Sequence, residues 1–83
     1  MGFPSQETVR RVRELYPVGT RVELLEMNDA HAPPIGTKGT IVGVDSIASL
    51  LVAWDNGSSL NVVYGIDKVR KLSGGNASEN TDR

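Results

Sequence analysis

The chain has 83 residues, no cysteine, a single histidine and 9 basic against 10 acidic side chains. That composition argues against a disulfide scaffold and against a strongly basic nucleic-acid module. No apolar run is long enough to span a bilayer and no basic-then-apolar signal opens the chain, which points to a single cytoplasmic domain whose small core leaves it marginally stable.

Residues 1–4 read as a flexible lead. Ser5 is suited to cap a helix, with Gln6 and Glu7 in a first turn where a carboxylate complements the positive end of the helix dipole. Val9, Val12, Leu15 and Tyr16 recur at helical spacing and form one apolar stripe. Pro17 ends the helix, because the residue before a proline is driven out of the helical region. Arg10, Arg11 and Arg13 lie off the stripe. They read either as a solvated face, with Glu7 three and four residues before Arg10 and Arg11, or as a strip that binds phosphate or an acidic partner.

After a turn at 18–20, residues 21–27 predict a first strand. Val22 and Leu24 alternate with Arg21 and Glu23, but Leu25 and Met27 continue in the opposite phase, as a bulge or a strand covered on both faces would require. Residues 28–36 form a long connection rich in breakers. It contains Asp29, His31, Pro33 and Pro34, and its length makes it a candidate binding loop. A second strand follows over 37–45, where Gly39 and Gly43 bracket Ile41 and predict bends or close backbone approach.

Residues 50–63 carry the strongest local signal, an Asn-Gly pair between apolar residues of period two, which predicts a β-hairpin. With a two-residue loop the apolar faces of the two strands would be out of phase. A three-residue loop, Asp55-Asn56-Gly57 with Gly57 left-handed, pairs Trp54 with Ser58, Val52 with Leu60 and Leu50 with Val62, and brings both apolar sets to one face. The Asp55 carboxylate is then expected to accept the loop amides. Gly65, Ile66 and Asp67 predict a tight turn of 3₁₀ type before a last strand at 68–72. Residues 73–83 contain no large apolar side chain and read as a disordered tail.

No catalytic residue emerges from this inventory, and an enzyme is not expected. One histidine without cysteine leaves zinc no plausible ligand set, the aspartates at 29, 45, 55 and 67 fit no calcium loop and read as turn caps, and Gly36-Thr37-Lys38-Gly39-Thr40 lacks the spacing of a phosphate-binding loop. No metal, cofactor, membrane or small-molecule substrate is therefore expected.

Tyr16-Pro17-Val18-Gly19-Thr20-Arg21-Val22, Gly36-Thr37-Lys38-Gly39-Thr40, Val52-Ala53-Trp54-Asp55-Asn56-Gly57-Ser58 and Gly65-Ile66-Asp67-Lys68 together resemble a small domain-of-unknown-function family of bacteria, phages and conjugative elements. The resemblance runs from Tyr16 to Lys71. It implies a mainly β fold, an SH3-like small barrel of about five strands, here preceded by one N-terminal α-helix and followed by the disordered tail. A single domain over 5–72 is the corresponding organisation. The resemblance implies no activity and no catalytic residue, and SH3-like barrels bind peptides in some cases and nucleic acids in others.

Two binding functions follow. The first is contact with a protein partner through Asp29, His31, Pro33, Pro34, Trp54 and Tyr64, with Tyr16 completing an aromatic cleft. Inhibition of a host defence protein is its special case. The alternative is nucleic-acid binding through Arg10, Arg11 and Arg13 of the helix with Lys68, Arg70 and Lys71 of the last strand, because several such side chains together neutralise phosphates.

Overall fold

The computed structural model describes residues 5–72. The expected flexible lead at 1–4 and disordered tail at 73–83 lie outside the described residues. The described residues are mainly β, with one helix and five strands: α1 (Gln6–Leu15), β1 (Arg21–Glu26), β2 (Lys38–Val44), β3 (Ser49–Trp54), β4 (Val62–Val63) and β5 (Lys68–Lys71). The strands form one antiparallel sheet in the order β4-β3-β2-β1-β5.

The helix begins where the capping chemistry places it. Ser5 Oγ accepts from the Thr8 backbone N–H at 3.1 Å, and Tyr16 ends the helix as its C-cap, one residue before Pro17. Val9 and Val12 are buried, whereas Leu15 at the end of the stripe is partly exposed. The helix packs against β2, and Arg13 is spent on that packing, its guanidinium donating to the Val44 carbonyl at 3.1 and 3.3 Å.

The central hairpin has the expected register. Leu50 pairs with Val62, the Trp54 N–H donates to the Ser58 carbonyl at 3.1 Å, and the Gly57 N–H donates to the Trp54 carbonyl at 2.9 Å. Gly57 is left-handed, with φ of 92°. The regular ladder between β3 and β4 is nevertheless short, with only Ser49 and Leu50 paired to Val63 and Val62. Where the Leu60 segment leaves the ladder, the Trp54 indole N–H donates to the Leu60 carbonyl at 2.9 Å and satisfies it from the core side. The 45–49 link repeats this loop. Asp45 N–H donates to the Ser49 carbonyl, Ala48 N–H to the Asp45 carbonyl, and Ala48 occupies the left-handed position with φ of 64°.

The phase switch in the first strand is a bulge. The β1–β5 register shifts between Leu24 and Glu26, leaving Leu24 fully buried and Leu25 44 % exposed. A second shift, between Ile41 and Gly43, leaves Val42 exposed. Gly39 is the close approach anticipated for the glycine-rich strand. A Cβ built there would stand 2.7 Å from Val52 Cγ1, 2.8 Å from the Trp54 ring and 3.0 Å from the Ala53 carbonyl oxygen.

These bulges serve a strongly coiled sheet. Laid flat, the two edge strands of five would stand roughly 19 Å apart, four spacings of about 4.8 Å. The link at 64–67 allows five residue steps from Val63 to Lys68, a fully extended reach of about 17 Å. That link is itself folded back, since the Ile66 and Asp67 N–H groups both donate to the Val63 carbonyl, at 3.0 and 2.9 Å. The edges can meet only if the sheet curls around its core of Val22, Leu24, Ile41, Leu50, Val52, Trp54 and Val62, with Val9 and Val12 supplied by the helix. The turn itself differs from the 3₁₀ expectation: Gly65 has φ of 90°, so the Val63–Ile66 turn has the left-handed third residue of a type II turn.

Candidate functional site

Curling brings β4 and β5 towards each other without pairing them, and the seam between them is a cleft of about 390 Å³. Its walls come from distant parts of the chain: Tyr16 from the helix end, Leu25 from the β1 bulge, Leu50 from β3, Val62 from β4, Tyr64 from the turn and Val69 from β5. The bulge is what turns Leu25 to the cleft while Leu24 stays in the core. Tyr64 is 41 % exposed and Tyr16 half-buried, so the cleft offers two aromatic rings with an aliphatic floor. Burial, and then the nearby Tyr64, raise the Tyr16 phenol above its ordinary pKa. The Tyr16 phenol is therefore a neutral hydrogen-bonding group at physiological pH.

Of the residues expected to meet a protein partner, Tyr64 and the accompanying Tyr16 line this cleft. Trp54 is 3 % exposed and its indole N–H is committed to Leu60, so it is a core residue in this fold. Pro33 is buried and Pro34 exposed. Asp29 Oδ1 accepts from the His31 backbone N–H at 2.7 Å in a local turn, and the His31 side chain projects outward, 89 % exposed. The aromatic cleft thus contains two of the three anticipated rings, and its aliphatic members Leu25, Val62 and Val69 were not singled out from the sequence. The phase switch at Leu25 was the one local signal that could have pointed to them.

The basic residues are also redistributed. Arg70 pairs with Glu23 at 2.6 Å and Lys68 with Glu26 at 3.6 Å, both partners being on β1. Lys71 donates to the Leu15 carbonyl at 2.8 Å and sits 5.7 Å from the Tyr16 ring centroid. This contact places a cation at the negative end of the helix and joins β5 to α1. Among the described residues, Arg10 and Arg11 form no ion pair within 4 Å, and the side chains around them include Glu7 and Glu14.

Three aspartates act as turn caps. Asp29 does so as described, Asp45 accepts from the Ile47 and Ser49 N–H groups, and Asp67 accepts from the Val63 N–H at 2.9 Å. Asp55 departs from the pattern. Its carboxylate takes both arms of the Arg21 guanidinium, at 2.9 and 2.6 Å, while Asn56 Oδ1 caps the loop by accepting from Ser58 N–H at 3.0 Å. Arg21 also donates to Thr40 Oγ1 at 2.8 Å, so the network crosses the outer face of the sheet from β1 over β2 to the hairpin loop.

The hydrogen bonds from Arg21 hold the Asp55 carboxyl below its usual pKa. A depressed carboxyl pKa contributes stability that is complete above the unfolded value, near 4, and is lost as pH falls through the folded value. Asp55→Asn is accordingly expected to lower the urea midpoint at pH 7 and to leave the midpoint at pH 3 closer to that of the native chain. Equal losses at both pH values would remove the ion pair from the account.

The sequence from Ser5 to Leu72, the residue after β5, matches a family model described as a domain of unknown function, DUF4314. The chain belongs to the DUF4314 family. No curated protein and no solved structure matches it. The matched span of the DUF4314 domain coincides with the described residues, so the helix, the coiled sheet and the cleft all lie within it. Among the described residues no helix is long and apolar enough to cross a membrane, and no group of three or more histidine, aspartate or glutamate side chains could hold a metal ion.

Proposed function

We propose that this DUF4314 domain is a non-enzymatic binding module that engages a partner protein at the cleft between β4 and β5. The observation that carries this reading is the cleft itself: two tyrosines over aliphatic side chains, placed at a seam where the sheet leaves its edges unpaired. Concave apolar surface with a few polar groups is the usual form of a recognition site, and tyrosine is among the side chains that most often anchor protein contacts.

An SH3-like barrel is supported by the strand order and by the short link that joins the two edge strands. A mobile-element setting, and with it a role in inhibiting a host defence protein, rests on the family resemblance of the Trp-Asp-Asn-Gly hairpin and the glycine-rich second strand, whereas a cytoplasmic location rests on the cysteine-free composition. The nucleic-acid reading loses support from the ion pairs of Lys68 and Arg70 and from the contact of Lys71 with the helix end, which leave Arg10 and Arg11 as its main cations.

The test is affinity capture from the native host with nuclease treatment, comparing the native chain with Tyr64→Ala. Tyr64 contributes little to the core, so the variant is expected to keep its melting temperature within a few degrees while losing the nuclease-resistant protein partner. Equal capture by both chains, or recovery of nucleic acid alone, would sink the proposal.

A further inference from the structure

Edge strands present unpaired backbone groups that can template a further strand unless they are capped or covered. The two edges of this sheet differ in that respect. On β4, the hydrogen-bonded pairs with β3 fall at Trp54–Ser58 and, in steps of two, at Leu50–Val62, so the Val63 backbone groups point away from the sheet. They are nonetheless satisfied. The Val63 N–H donates to Asp67 Oδ2, and its carbonyl accepts from Ile66 and Asp67.

On β5, the Leu72 N–H donates to the Arg21 carbonyl, and the ladder continues through Glu23–Arg70. Arg70 and Leu72 therefore turn their backbone groups to β1, while Val69 and Lys71 turn theirs outward. Among the described residues no strand lies beyond β5, and no backbone or side-chain group caps the outward N–H and carbonyl of Val69 or Lys71. The open edge borders the cleft, because Val69 is one of its walls.

We propose that β5 accepts an extended segment of the partner as a sixth strand, one that alternates apolar and acidic residues. This deepens the cleft reading and rests on it. The apolar positions follow from the face that Val69 shares with Leu24, which directs every second side chain of an added strand to the cleft between Tyr16 and Tyr64. The acidic positions follow from charge: on the face opposite Val69, β5 presents Lys68 and Arg70, whose partners Glu26 and Glu23 lie one strand further away on β1, so the nearest charges to an added strand on that face are cations. The same charges disfavour a second copy of this chain, since β5 against β5 would set lysine and arginine opposite one another. Strand addition of this kind takes its affinity from the main chain and its specificity from alternate side chains.

The probe is a fluorescein-labelled decapeptide alternating glutamate and valine, compared with its lysine–valine counterpart on the full chain. The glutamate peptide should bind, and the lysine peptide should bind at least about tenfold more weakly. Val69→Pro removes one outward N–H without touching the β1 ladder, and it should weaken the glutamate peptide by about tenfold or more at an unchanged circular dichroism spectrum. Hydrogen exchange on the native chain provides a readout that does not depend on that variant. The Val69 and Lys71 amides should exchange fast in the free protein and slow on peptide binding, with Arg70 slow in both. Slow exchange at Val69 and Lys71 in the free chain, no binding of the glutamate peptide, equal binding of both peptides, or self-association through β5 would each overturn strand addition. Capture of a partner that depends on Tyr64 while these two amides stay fast would leave the cleft reading standing and remove only the sixth strand.

Discussion

Gly39→Ala is expected to lower the stability of the domain by about 1–2 kcal/mol, the usual cost of forcing a methyl group into a filled core less the small gain from restricting the unfolded chain. The added Cβ would meet Val52, the Trp54 ring and the Ala53 carbonyl at 2.7–3.0 Å, and two of those three neighbours are themselves buried core side chains that have little room to retreat. At roughly 0.05–0.15 kcal/mol per residue the whole domain holds on the order of 3–10 kcal/mol, so the loss is a large share of the total. Urea unfolding followed by circular dichroism measures it. Gly43→Ala is the internal comparison, because the nearest atom to a Cβ there is Leu51 Cδ1 at 3.5 Å, an ordinary contact. A midpoint for Gly39→Ala as high as for Gly43→Ala would mean that β2 and β3 do not approach as described.

How much of this was legible in the sequence depends on how far apart the interacting residues lie. The hairpin register at Leu50–Val62 followed from period-two alternation and loop length, both local, and it is present. The β1 bulge followed from the phase change at Leu25, again within a few residues. The Ser5 cap and the stop at Pro17 are local in the same sense. What could not be read were pairings set by topology. Asp55 looks like a turn cap until β2 is inserted between β1 and β3, which brings Arg21 within reach of its carboxylate from 34 residues away. Lys68 and Arg70 look like a free basic cluster until β5 is laid beside β1, where Glu26 and Glu23 neutralise them. The cleft is the extreme case, since its walls come from the helix, three strands and two irregular segments, and only the curl of the sheet brings them together.

Trp54→Ala is expected to have the largest effect of any single substitution in the domain, a loss of about 3–5 kcal/mol that removes roughly a third or more of the total and raises the unfolded fraction at 25 °C. The indole is 3 % exposed, faces Gly39 across the sheet and closes the gap left where the Leu60 segment departs from the β3–β4 ladder. Removing it opens a cavity and takes the indole donor from the Leu60 carbonyl together. Trp54→Phe separates these two contributions. It keeps most of the ring but not the donor, and it should cost about 1–3 kcal/mol, the range for a half-buried polar group left unpaired. The comparison bears on function as well as stability. A tryptophan in the core and a tyrosine at the cleft can both abolish partner capture when mutated, but they do so for different reasons. Trp54→Ala should lose capture in proportion to the unfolded fraction measured by circular dichroism, and ligand-independent stabilisers such as sulfate should restore both together. Tyr64→Ala should lose capture with its fold intact, and sulfate should not restore it. If Trp54→Ala instead stays folded and loses capture, the indole belongs to the binding surface and the cleft between β4 and β5 does not act alone.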